Sequence, residues 1–226
     1  MHFGLTEEQE LLQETVRGFI DGECPPPRLR EIFDSGSGHD PTLWKGLAEM
    51  GLTGLVVPET HGGAGLELLE LALVTESMGG GALPGPFLGH SLATLAIALG
   101  GSDEQQARWL PALASGESIG GIAIAETAEG WDAESMKLDG ASLTGTKVHV
   151  PFAELADVFV VATAEGGFAV VERGASGLSV EATPGIDRTR PIASLHFDGT
   201  PAEPLATPVF DRVRDAGLAL LAADAF

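Results

Sequence analysis

A short loop in the second half of the chain combines residue types that could hold an oxygen-rich, planar ligand. It reads Ala125-Glu126-Thr127-Ala128-Glu129-Gly130-Trp131-Asp132 and follows an apolar run. Its small residues leave backbone amides available as hydrogen-bond donors, and the indole of Trp131 could stack on a planar group. Residue types alone favour an acidic surface loop, and a binding loop is the alternative.

Three other patterns resemble catalytic or metal-binding motifs but lack the required setting. Ser118 lies in a GxSxG pattern, yet a nucleophile elbow joins a strand to a helix, whereas here a helix precedes the serine and a strand follows. In residues 140–147 a threonine separates the second glycine from Lys147, which favours a hairpin over a phosphate loop. The 6 histidines show no HxxxH or HExxH spacing, so we expect no metal site.

The composition excludes several classes of protein. The 226 residues include 12 basic and 33 acidic side chains, and the net charge of −21 argues against nucleic acid and anionic membranes as partners. The single cysteine excludes an intrachain disulfide and fits a reducing compartment. The N-terminus has no signal-peptide pattern, and no apolar run approaches the roughly 18 to 20 residues of a membrane span. We therefore expect a cytoplasmic protein.

Helical patterns come first along the chain. Thr6 and Gln9 form a capping-box pattern, and apolar residues recur at helical spacing from there to Gly22, before prolines 25–27 that we interpret as a stop. Further helices are predicted over residues 41–50, 66–78 and 91–99, and after a cap at Ser102. These patterns predict an N-terminal helical domain over residues 1–118.

The second half changes to the alternation typical of strands. Runs rich in Val, Ile and Phe occupy residues 119–125, 142–150, 157–164, 168–172, 178–181 and 192–197, with turn residues between them. Because no helical run separates them, we expect antiparallel pairing in a middle β-domain, a sandwich or barrel, over residues 119–207. The predicted fold class is α+β: an all-α N-terminal domain, this β-domain, and then the start of a C-terminal helix.

The helical period returns after Pro208. Val209, Val213, Ala216, Leu220 and Ala223 share one face, and no Gly, Asn or Pro closes the helix before the last residue. We expect residues 208–226 to be the first helix of a C-terminal helical domain that is truncated or supplied by a partner. The alternative is a short docking helix that frays at its end.

As an ordered set, several segments resemble the acyl-CoA dehydrogenase family. They are residues 5–9, 44–52, 57–65, 106–117, 122–132 (where the family has its TEPxAGSD loop) and 143–157 (resembling LNGxKxxITNAxxAD). The resemblance implies an FAD-dependent flavoenzyme that oxidises the Cα–Cβ bond of an acyl-CoA. A glutamate removes the α-proton and FAD accepts the hydride. It also implies a homo- or hetero-oligomer and a protein that accepts the electrons.

The resemblance also implies the site residues. The cofactor-binding set is Ile124, Ala125, Glu126, His149, Val150 and Pro151, and the substrate-binding set is Gly130, Trp131 and Asp132. The family's catalytic glutamate lies in its C-terminal domain, so no residue of this chain is assigned as the base. Residues 76–88 resemble an actinobacterial-style branch of the family whose chains form mixed oligomers.

Three positions depart from the family pattern. Ala125 and Pro151 stand where the family has threonine, and Trp131 stands where it has serine. Each lost hydrogen bond could weaken flavin binding by about 1 kcal/mol. The departures suit one alternative to the dehydrogenase, a non-catalytic structural subunit with a degenerate flavin site. An acyl-CoA oxidase-type flavoenzyme is a further alternative, because the difference from a dehydrogenase depends on oxygen access.

Overall fold

The structure, a computed structural model, describes residues 4–131, 133 and 135–225. Within these residues the helices that come first are α1 Glu7–Glu23, α2 Pro26–Ser35, α3 Pro41–Glu49, α4 Leu68–Gly80, α5 Phe87–Gly100 and α6 Asp103–Ala114. The strands are β1 Gly120–Ala123, β2 Leu138–Asp139, β3 Ser142–Pro151, β4 Val158–Thr163, β5 Gly167–Glu172, β6 Leu178–Thr183, β7 Ile192–Pro201 and β8 Glu203–Pro204, followed by helix α7 Phe210–Asp224. This order confirms the α+β class. No helix in the described ranges is long and apolar enough to cross a membrane.

Two capping boxes start helices where the sequence predicts them. At α1 the Gln9 amide donates to Thr6 Oγ1 (3.2 Å) and the Thr6 amide donates to Gln9 Oε1 (3.0 Å). Ser102 and Gln105 make the same reciprocal pair at α6. Each box satisfies two amides that the first helical turn leaves without partners.

The three consecutive prolines do more than stop a helix. Helix α1 ends at Glu23, but a helix that the sequence analysis did not predict, α2, begins at Pro26. The interpretation as a stop alone was therefore incomplete. Proline in a first helical turn has a suitable φ, and the amide it lacks would have had no partner there.

The strands form two four-stranded sheets, an inner sheet of order β1-β4-β5-β8 and an outer sheet of order β2-β3-β7-β6. One pair departs from the predicted antiparallel arrangement: β1 and β4 run parallel, from Gly120 opposite Val158 to Ala123 opposite Val161. After β1 the chain crosses to the outer sheet and builds β2 and β3 before it returns. That excursion lets β4 re-enter the inner sheet in the same direction as β1.

The inner sheet is covered on both faces. Along β4, Val158 and Val160 pack in a core shared with the helices, and Phe159 and Val161 pack in a second core between the sheets. A strand buried on both faces needs the near-continuous apolar run that β4 has. One core joins the helices to the inner sheet, so the packing does not mark where one domain ends and the next begins. The domain boundaries at residues 118 and 207 therefore stay predictions.

Candidate functional site

A cavity of about 370 Å³ lies where the helices meet the inner sheet and strand β3. Its wall is mostly apolar and includes Met78, Leu83, Phe87, Leu88, Leu92, Ile122, Ile124, Trp131, Val148, Phe152, Ile192 and Leu221. The hydrophilic side chains in the wall include Thr75, His149, Arg190 and Asp224. An apolar hollow with a few polar groups suits a small organic ligand.

A β-bulge shapes the part of the wall that β3 contributes. Lys147 lies opposite Leu195 and Val150 lies opposite Ala193, so two residues of β3 face one residue of β7. The bulge lets Lys147 and Val150, three positions apart, both be buried. Within the bulge, His149 has a φ of 53°, a left-handed conformation that non-glycine residues rarely adopt. A strained residue at a cavity wall is a common feature of binding sites.

The end of β1 lies beside this bulge. The Val148 amide donates to the Ala125 carbonyl (2.8 Å), and Lys147 Nζ donates to the Ile124 carbonyl (2.9 Å). Ile124 and Ala125 are both buried and line the cavity. These contacts bring together the two segments that the sequence analysis predicted to contact the flavin.

Glu126 does not line the cavity, because its carboxylate turns back to the base of its own loop. It accepts hydrogen bonds from the amides of Ser135 (2.9 Å) and Met136 (2.9 Å), from the Ser135 hydroxyl, and from Lys147 Nζ (3.0 Å). Burial alone would raise the pKa of Glu126, but these donors outweigh it and lower the pKa to about 2. Burial lowers the pKa of Lys147, and the charge of Glu126 opposes that effect.

Trp131 lies in the wall between the loop and α7. A Cβ atom on Gly217 of α7 would come within 2.5 Å of Trp131 Cζ3, so the missing side chain at Gly217 makes room for the indole. Leu92 of α5 reaches the same place, 3.2 Å from that position. The indole is therefore fitted between two helices as well as facing the cavity.

The remaining predicted site residues lie away from the cavity wall or outside the residues that the structure describes. Val150 packs in the core between the two sheets and Gly130 pairs with Thr127 in a tight turn. Asp132 lies outside the described residues. Of the nine predicted residues, those in the cavity wall are Ile124, Ala125, Trp131, His149 and Pro151.

An ion pair that the sequence analysis missed closes one side of the cavity. The guanidinium of Arg190, on the segment between β6 and β7, donates twice to the Asp224 carboxylate near the end of α7, once at 3.0 Å. Hydrogen bonding to Asp224 raises the pKa of Arg190, against the opposing effect of burial. Arg190 lies in a turn-rich segment without periodicity and Asp224 lies off the apolar stripe of α7. Neither residue therefore carried a signal in the sequence.

Comparison with known proteins finds similarity to the acyl-CoA dehydrogenase family. The model of the family "Acyl-CoA dehydrogenase, N-terminal domain" matches residues 6–117. The chain is 40% identical over 119 residues to the acyl-CoA dehydrogenase IpdE2 of Mycolicibacterium smegmatis, covering 52% of this chain and 37% of IpdE2. It is 34% identical over 209 residues to the mitochondrial isovaleryl-CoA dehydrogenase of Pongo abelii, covering 87% of this chain and 49% of that protein. The chain thus spans half or less of the length of these curated relatives.

Solved structures share the fold over nearly the whole chain. The Tcur3481-Tcur3483 steroid ACAD variant superposes with a TM-score of 0.89 at 33% identity, covering 96% of this chain and 62% of that chain. The ChsE4-ChsE5 complex from Mycobacterium tuberculosis superposes with a TM-score of 0.82 at 27% identity, covering 99% of this chain and 62% of that chain.

Proposed function

This chain belongs to the acyl-CoA dehydrogenase family, and from that membership we propose that it is an FAD-dependent acyl-CoA dehydrogenase chain. The proposed reaction is the α,β-oxidation of an acyl-CoA thioester. The observation that carries the proposal is that Ile124, Ala125, Trp131, His149 and Pro151 converge on one apolar cavity. All five belong to the residues that the family resemblance assigns to cofactor or substrate.

The residue types in the cavity wall suit a flavin ring. Ile124, Ala125 and Pro151 offer apolar surface for a planar ring, and the indole of Trp131 adds an aromatic one. When bound, FAD would accept a hydride from the Cβ atom of the acyl group. These residues offer few hydrogen-bond donors to a flavin, because Ala125 has no hydroxyl and Pro151 has no amide hydrogen. We therefore expect FAD to bind by ring contacts more than by hydrogen bonds from these residues.

The catalytic base is proposed to come from outside the described residues. Among the described residues of the cavity wall, Asp224 is the one that carries a carboxylate, and Arg190 holds it in an ion pair with two hydrogen bonds. Glu126 turns away from the cavity, and its pKa of about 2 makes it a weak base. Removal of the α-proton would then need a carboxylate supplied by another segment or by a second subunit.

If the base comes from outside the described residues, the chain needs a partner to complete the site. The structural relatives include ChsE4-ChsE5 and Tcur3481-Tcur3483, whose names each join two different chains. We propose that this chain likewise works in an oligomer, with an acyl-CoA as substrate and an electron-transfer protein as acceptor. The alternative is a non-catalytic subunit with a degenerate flavin site, which the missing donors at Ala125 and Pro151 favour.

The affinity for FAD separates the two functions. Ala125→Thr restores a hydroxyl donor in the wall and is expected to tighten FAD binding about fivefold, equivalent to about 1 kcal/mol. Quenching of flavin fluorescence on titration with protein measures the affinity. Ala128→Thr, on the exposed part of the same loop, is the matched control and should leave it unchanged. If neither the native protein nor Ala125→Thr binds FAD, the proposal fails and the structural subunit is favoured.

A further inference from the structure

Lys147 occupies a position where an apolar side chain would be the simpler choice. Its side chain is fully buried in β3, and its Nζ atom donates to Glu126 Oε1 (3.0 Å) and to the Ile124 carbonyl (2.9 Å). Removing two charges from water is costly, and well-packed apolar residues often stabilise a fold as well as a buried ion pair does. Stability alone therefore does not explain the pair.

The Glu126 carboxylate holds together the two ends of the loop between β1 and β2. Glu126 lies where the chain leaves β1, and it accepts hydrogen bonds from Ser135 and Met136 where the chain returns towards β2. Lys147 joins this closure to strand β3 and, through the Ile124 carbonyl, to the end of β1. The ends of the loop are thus fixed to two strands by a single carboxylate and a single ammonium group.

Trp131 lies about midway along that loop and must be placed accurately. Its indole fills a gap against Gly217 of α7 that any side chain on Gly217 would close, and it also faces the cavity. A loop with free ends would sample many positions of the indole, and the cavity would lose part of its wall. Fixing the ends of the loop restricts where Trp131 can lie.

We propose that Glu126 and Lys147 are positioning residues that hold Trp131 as a wall of the cavity. Neither side chain lines the cavity, so any effect on a ligand is indirect, and the proposal assigns that effect to the placement of Trp131. The proposal rests on the proposed function only in what the cavity binds. The placement of Trp131 can be tested without any ligand.

The test uses fluorine NMR of the protein labelled with 5-fluorotryptophan. The chain has 3 tryptophans, and Trp131→Phe assigns the resonance of Trp131. In Glu126→Gln and in the double variant Glu126→Gln/Lys147→Met, we expect the Trp131 resonance to shift or broaden while those of Trp44 and Trp109 stay unchanged. The double variant contains no unpaired buried charge, so it should regain thermal stability lost in Glu126→Gln and still show a displaced Trp131. Lys45→Met, which removes a lysine from an exposed pair with Glu49, is the control and should leave the Trp131 resonance unchanged.

A native Trp131 resonance in the folded double variant would overturn the proposal, because Trp131 would then keep its position without the Glu126–Lys147 pair. So would equal perturbation of all three resonances, since that would indicate a general loss of structure. A second measurement, FAD affinity, should fall about tenfold in the double variant. If the native protein does not bind FAD, the proposed function fails while the NMR result still decides the role of the pair.

Discussion

Gly79→Ala is expected to lower the free energy of unfolding by about 3 kcal/mol and to weaken ligand binding in the cavity. A Cβ atom on Gly79 of α4 would lie 2.0 Å from the carbonyl oxygen of Asp224, so α7 would have to move away. The obstacle is backbone, which cannot rotate aside as a side chain can. Leu221 and Asp224 of α7 line the cavity, and displacement of this helix would also separate Asp224 from Arg190.

The neighbouring residue provides a matched control for this prediction. A Cβ atom on Gly80 would meet nothing within 4 Å, so Gly80→Ala should be neutral or stabilise the protein by up to about 1 kcal/mol. Chemical denaturation of the two variants and the native protein measures the difference. Equal stability of Gly79→Ala and Gly80→Ala would show that α7 does not pack on α4 as closely as described.

Acid is expected to destabilise the protein through His90. The ring is fully buried in α5, where Nδ1 accepts a hydrogen bond from the Gly120 amide (3.1 Å) and Nε2 donates to the Thr53 carbonyl (3.0 Å). This arrangement uses the neutral ring, and burial lowers the pKa of His90 from 6.5 to about 4. The unfolded chain protonates His90 near pH 6.5, so between pH 6.5 and 4 it binds more protons than the folded chain. Stability provided by the neutral ring is complete above pH 6.5 and falls by about 3 kcal/mol as the pH drops to 4.

The free energy of unfolding across this pH range, measured by denaturation, checks the prediction. His90→Gln keeps at most part of the hydrogen bonding, so it should be less stable at neutral pH by about 1 to 3 kcal/mol but lose less on acidification. His61→Gln, on the loop before α4, should retain the native pH dependence. Parallel loss of stability in the native protein and in His90→Gln would assign the acid sensitivity to other groups.

Local patterns in the sequence predicted much of the fold. The boxes at Thr6 and Ser102 each involve residues three apart, so the sequence alone contains both partners. The apolar run of β4 and the stripe of α7 with Val213, Ala216 and Leu220 were also predicted, because burial dictates the spacing of apolar residues.

Features that depend on distant residues could not be predicted in the same way. The parallel pairing of β1 and β4 depends on the path of the chain between them. The position of the Trp131 indole depends on the missing side chain at Gly217. Glu126 was predicted to contact the cofactor from its position in the family motif. The structure instead turns its carboxylate towards Ser135, Met136 and Lys147, contacts that no periodicity reveals.

We propose that this chain supplies the cavity and that the catalytic base comes from elsewhere. Anaerobic mixing of the FAD-loaded protein with an acyl-CoA, followed through the visible absorption band of the flavin, tests it most directly. We expect the band to shift as the acyl-CoA binds but to keep its intensity, and to bleach only after a protein that contributes the carboxylate is added. Rapid bleaching by this chain alone would overturn that expectation, because it would place the base within this chain.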